Sequence, residues 1–157
     1  MMQESVNVEV CHSYDCSDLS DRFQLLLEGL DFHVLIDSLN ISRWNIFKRN
    51  KAKTEFFALA VILWKLALEQ SFPTIAEHCF ESFTERLQSD MSQNKVILER
   101  IQVYNEILSH KKNNDFYEVA TYLVDLFTLG DGDQKRYRLQ VSLDIRKVYN
   151  IIFDRLI

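Results

Sequence analysis

The chain has 157 residues, a formal net charge of −5, 47% hydrophobic residues and 26% charged residues. That length suits one domain or two small ones, and the composition excludes a chain disordered throughout. With three glycines and one proline, it lacks the turn residues that a β-sandwich or barrel needs every ~8–12 residues, and it contains no glycine-rich phosphate loop.

Long helices joined by short polar loops are the expected architecture. Residues 1–17 show no period and read as a flexible arm. Asp18 or Ser20 can cap a first helix that turns Phe23, Leu26, Leu27 and Leu30 to one side. Asp31 can cap a second, with Leu35, Ile36 and Leu39 inward, and Asn40 interrupts it. Ser42 is expected to cap a short third helix ending near Asn50, and Thr54 a fourth ending near Gln70. The fourth contains the longest apolar run, Phe56–Leu68, broken only by Lys65. It is too short for a membrane span, which needs about twenty residues, and reads as a core helix.

Pro73 suits the first turn of a fifth helix ending near Gln88, with Ile75, Cys79, Phe80, Phe83 and Leu87 inward. Ser92 opens a sixth, in which Ile97, Ile101, Tyr104 and Leu108 recur three to four apart. A polar loop over 110–115 leads to a seventh over Phe116–Leu129, and Gly130-Asp131-Gly132-Asp133 forms a turn before the last helix. There the stripe Tyr137, Val141, Ile145, Val148 and Ile152 has apolar company on other faces from Leu139, Leu143, Tyr149 and Phe153. Such a surplus fits a homodimer formed through the C-terminal helices.

Charge is unevenly spread. Residues 1–42 carry −7 and residues 54–157 carry −3, whereas Arg43, Lys48, Arg49, Lys51 and Lys53 make residues 43–53 a +5 island without an acid. This island falls on a pattern with the form of a helix-turn-helix. Asn40 tolerates the left-handed backbone that such a turn needs, Ile41 plugs it, and Leu35, Leu39 and Ile46 can meet in a small core. The second helix would then present Ser42, Arg43, Trp44, Asn45, Lys48 and Arg49, with Lys51 and Lys53 close behind. Arginine and lysine suit guanine edges or phosphates, and asparagine suits adenine. Arg43, Asn45 and Lys48 are the expected base contacts, and Arg49, Lys51 and Lys53 the phosphate contacts. The alternative is an ordinary helix–helix turn whose bases are solvated or meet an acidic partner.

Residues 35–56 resemble the DNA-binding motif of TetR-type bacterial regulators, roughly I-A-x-x-A-G-V-S-x-x-T-[LV]-Y-x-[YH]-F-x-[SN]-K-x-x-L. Leu35, Leu39, Asn40, Ile41 and Ser42 take the I, second A, G, V and S places. Asn45, Ile46 and Phe47 follow at T, L and Y, Lys53 falls on the lysine, and Phe56 on the final leucine. Ile36 stands where the family has a small alanine, Trp44 replaces a small residue, and Arg49 and Asn50 replace aromatics. The resemblance implies an all-α chain with a helix-turn-helix N-terminal three-helix unit over 18–53, followed by a C-terminal dimerisation and effector bundle over 54–157. It also implies a cytoplasmic, homodimeric transcription regulator that binds double-stranded DNA. Phe56, Trp64, Phe83 and Phe116 are among the aromatics that could line an apolar effector pocket, or simply fill the core. The competing expectation is a small acidic helical interaction module of the immunity or adaptor type.

Other candidates are weaker. Cys11, His12 and Cys16 lack the paired spacing of a zinc site, and an odd cysteine count without a secreted-scaffold spacing fits a reducing compartment. Glu77, His78 and Glu81, and the pair Glu106 and His110, do not have the Glu-x-x-His spacing of carboxylate metal bundles. Asp131 and Asp133 lack the later ligands of a calcium loop. No enzyme, cofactor, metal or membrane partner is expected.

Overall fold

The computed structural model describes residues 15–90, 94–109, 115–127 and 133–156. These form seven α-helices and, among the described residues, no strand: α1 (Cys16–Gly29), α2 (His33–Ser38), α3 (Ile46–Ser71), α4 (Ala76–Asp90), α5 (Asn94–Ser109), α6 (Tyr117–Phe127) and α7 (Gln134–Leu156). The all-α expectation is met. Of the expected features, residues 1–14, Ser92, most of the 110–115 loop and Gly130–Gly132 lie outside the described residues.

The largest departure is at α3. The separate helices expected over 42–50 and 54–70 are one helix of 26 residues that starts at Ile46. The polar run Asn50-Lys51-Ala52-Lys53-Thr54 looked like a break, but it holds no glycine or proline to stop a helix. Ala52 faces inward and is fully buried, while its polar neighbours point outward. Thr54 caps nothing; its hydroxyl donates to the Asn50 carbonyl one turn back at 3.3 Å. The boundary expected between residues 53 and 54 therefore falls inside α3, and the buried side chains of α1, α2 and the later helices join one core.

From Glu55 to Trp64 all but one residue of α3 is buried, because the helix is surrounded by others. The broadest contacts are with α5 and α7, and α4, α2 and α1 close the remaining sides. Lys65 is accommodated at the rim of this core by Asn105 Oδ1 at 3.1 Å, Glu69 at 3.6 Å and the face of Phe80 at 4.8 Å. The aromatics pack on one another: Phe23 stacks on Trp64 at 4.6 Å, and Phe83 lies tilted against both at 5.3 and 5.2 Å. Phe56, Trp64, Phe83 and Phe116 are all core residues.

Smaller corrections have local causes. Asp15, not Asp18 or Ser20, caps α1, accepting from the Ser17 amide at 3.1 Å. Pro73 lies in a turn, and α4 begins three residues later. Two of the three cysteines, Cys16 and Cys79, are joined in a disulfide that ties α1 to α4. A separation of 63 residues gives no local sign of the pairing. On α7, Tyr149 is buried and Phe153 half-buried in the chain's own core, so the expected apolar surplus on that helix shrinks to Leu139 and Leu143, beside which Ile151 is also exposed. No helix among the described residues is long and apolar enough to cross a membrane.

Candidate functional site

Two groupings of polar chemistry stand out, one buried and one exposed. The buried one was not singled out in the sequence. Glu55 of α3 has a 3% exposed side chain and lies 2.7 Å from Arg100 Nε of α5. Its other carboxylate oxygen accepts from the Tyr104 hydroxyl, and Arg100 Nη2 donates to the hydroxyl of Tyr122 on α6. The Arg100 guanidinium lies 5.6 Å from the Tyr122 ring centre and 5.9 Å from that of Tyr104. Burial, reinforced by the hydrogen bond to Glu55, holds Tyr104 neutral far above the ordinary phenol range. Burial works against the Arg100 charge, but the Tyr122 hydrogen bond and the Glu55 carboxylate outweigh it and raise its pKa. Each of these groups already has a partner, so the network fastens three helices together. The only hint in the sequence was a glutamate one residue before an apolar run.

Asp144 of α7 plays a similar part. It is 4% exposed and accepts from Ser38 Oγ of α2 at 2.6 Å, from Gln140 at 3.2 Å and from Lys147 at 3.2 Å. This bond fixes α2 on α7 and so places the turn that follows.

The exposed grouping is that turn and the start of α3. Asn40 adopts a left-handed backbone with φ 56°, the conformation expected of it. Leu35, Ile36, Leu39 and Ile41 are buried beneath it. The sequence-predicted residues then separate by role. Ser42 does not cap a helix; its hydroxyl accepts only from the Trp44 amide, at 3.4 Å. Asn45 is the cap instead: its side chain accepts from the Lys48 amide at 3.1 Å. Arg49 is 14% exposed and turns back to Asp37 at 3.4 Å and to the Ile41 carbonyl at 3.2 Å. Two of the side chains expected to meet DNA are thus engaged within the fold, Asn45 in capping α3 and Arg49 in holding α2 and the turn to α3. Lys51 is exposed and its ammonium lies 5.7 Å from the Phe127 ring centre. Arg43 and Lys53 are exposed and Lys48 is half-buried.

Three apolar side chains share this tip. Trp44 is 93% exposed, Ile46 66% and Phe47 89%. Ile46, expected in the small core with Leu35 and Leu39, points away from it, and Ile41 fills that role. Had 46–71 been treated as one helix, the period would have shown this. Ile46, Phe47, Asn50, Lys51 and Thr54 fall opposite Ala52, Glu55, Phe56 and Leu59. A tip with two fully projecting aromatics, an isoleucine and no acid over 43–54 is an unusual surface for a chain of net charge −5.

Among the described residues no cluster of three or more His, Cys, Asp or Glu side chains is arranged to hold a metal ion. Comparison of the chain with protein-family models, with curated proteins and with solved structures finds no match.

Proposed function

We propose that this chain is a non-enzymatic helical docking module whose contact surface is the tip over residues 43–53, directed at a negatively charged partner. The observation that carries this reading is the near-complete exposure of Trp44 and Phe47 within a cationic segment. Exposing such side chains to water is unfavourable, and large aromatics with arginine beside them are the residue types that dominate binding energy at interfaces. The buried carboxylates Glu55 and Asp144, and the half-buried Arg100 paired with Glu55, meanwhile serve helix packing. The test is a pair of measurements on Trp44→Ala/Phe47→Ala. Its melting temperature should match the parent, because neither side chain supports the fold, while retention on an anionic matrix falls. A clear loss of stability would mean that the tip is structural.

A second reading, DNA binding by a regulator, is favoured by the left-handed Asn40 turn and by Arg43 and Lys53 standing exposed beyond it. On that reading Lys53→Ala weakens binding to all duplexes about equally and lowers the salt slope by roughly one. With Asn45 engaged as a cap, sequence reading would rest on Arg43 and Lys48. Absence of duplex retention at low salt removes this reading and leaves the first intact.

A further inference from the structure

Resting on the reading of the 43–53 tip as a contact surface, we infer that its partner is the surface of an anionic phospholipid bilayer, with Trp44 and Phe47 seated in the interfacial layer. The first argument is shape. Side chains that keep 93% and 89% of their full exposure project from the surface. A protein partner would need a preformed pocket for each ring. A bilayer interface accepts projecting rings without one, and tryptophan is enriched at that depth.

The second argument is the company these rings keep. Arg43 and Trp44 sit in the turn, Ile46 and Phe47 open α3, and Lys48, Lys51 and Lys53 follow within two turns, without an acid over 43–54. Apolar residues to insert and cations to meet lipid phosphates are the two elements of a monotopic membrane contact. The third argument is complementarity on the scale of the whole chain. The segments on either side carry −7 and −3, so an anionic surface repels the rest of the molecule and attracts this tip. The contact has a defined orientation for that reason. It needs no spanning segment, so it revises the expectation of no membrane partner, which rested on the lack of one.

The chain carries its own reporter. It has two tryptophans, and Trp64 is 1% exposed and stacked on Phe23, so a change in emission on binding belongs to Trp44. The full chain is mixed with vesicles of phosphatidylcholine alone, or with roughly 30% phosphatidylserine, at low salt. Expected results are co-sedimentation with the anionic vesicles only, a blue shift of the emission, and protection from iodide quenching. Trp44→Phe should keep the binding and lose the shift. Arg43→Ala and Lys53→Ala should each weaken binding about fivefold. Trp44→Ala/Phe47→Ala should lose it more than about tenfold, with an unchanged melt to show that the fold survives. No sedimentation with anionic vesicles overturns the inference, and so does sedimentation in which iodide still quenches Trp44 fully. If the double variant binds anionic vesicles as well as the parent, the tip itself is not the contact surface. If duplex DNA or an acidic protein binds through the tip while vesicles do not, the lipid assignment fails and the tip reading stands.

Discussion

Replacing Glu55 with alanine tests the role assigned to the buried network. The substitution leaves the Arg100 guanidinium without its carboxylate and the Tyr104 hydroxyl without its acceptor. Breaking a buried ion pair from one side costs about 3–5 kcal/mol. Arg100 keeps a 23% exposed side chain, so water reaches it and the cost falls toward the lower end, about 3 kcal/mol. The orphaned Tyr104 hydroxyl adds about 1 kcal/mol at least, giving about 4 kcal/mol in all. For a domain of this size that lowers Tm by roughly 8–16 °C. Urea denaturation should show a lower midpoint with an unchanged slope, since the surface buried on folding is the same. Glu55→Gln should cost less, because the amide oxygen can still accept from the Tyr104 hydroxyl. A double-mutant cycle of Glu55→Gln with Tyr104→Phe should give a coupling energy of about 1 kcal/mol or more. If Glu55→Ala shifts stability by less than about 1 kcal/mol, the three helices are not fastened by this network and the reasoning is wrong.

The network also sets a pH dependence. The Tyr104 pKa is raised in the folded chain, so above the ordinary phenol value the folded state holds a proton that the unfolded state has lost; stability is full below about pH 10 and falls as pH rises beyond it, and Tyr104→Phe should flatten that fall in alkaline melts. The Cys16–Cys79 disulfide closes a separation of 63 residues, for which chain entropy predicts about 4 kcal/mol, so reduction or Cys79→Ala should lower the urea midpoint of the parent by a corresponding amount. Arg49→Ala should cost about 1–3 kcal/mol, by leaving the Ile41 carbonyl and Asp37 without their donor, and Asn45→Ala about 1 kcal/mol as a lost cap; melts unchanged by both would return these residues to a purely binding role. Asn40→Gly should be neutral or slightly stabilising and Asn40→Val destabilising by about 1–2 kcal/mol, because only the latter is strained at φ 56°.

How far the sequence carried depended on the kind of interaction. Helices whose inward residues recur three to four apart were legible, and Cys79, Phe83, Ile101, Tyr104, Leu108, Val141, Ile145 and Ile152 are buried where the period put them. The boundary between the expected third and fourth helices was not legible. Polar residues at 50–54 look the same whether they form a loop or the outer face of a helix, and the fully buried Ala52 between them is too small to mark a stripe. The disulfide and the Glu55–Arg100–Tyr104 contact join residues 63 and 45–49 positions apart, and local pattern carries no record of such pairs. The Asn40 turn was read correctly because its cause is local: a backbone conformation that few side chains tolerate.

The tip was located by its charge but misread in its detail. Charge along the chain needs no fold to be seen, whereas the direction of each side chain depends on where α3 begins. Capping the helix at Asn45 instead of Ser42 shifts its first turn, leaving Ile46 outward beside Phe47. Elsewhere propensity, pattern and packing agree: α3 is apolar where other helices surround it, and its one early acid has a cationic partner and a hydroxyl donor. At 44–47 they disagree, because a sequence able to bury three large apolar side chains leaves them in water. Places where local choices oppose the fold are where function is sought. The tip is also held in place at a cost in polar groups: Asp144 binds Ser38, Arg49 binds the turn, and Asn45 caps the helix. A turn that was merely a connection would not need three such anchors, whereas a contact surface must keep Trp44 and Phe47 in place before its partner arrives.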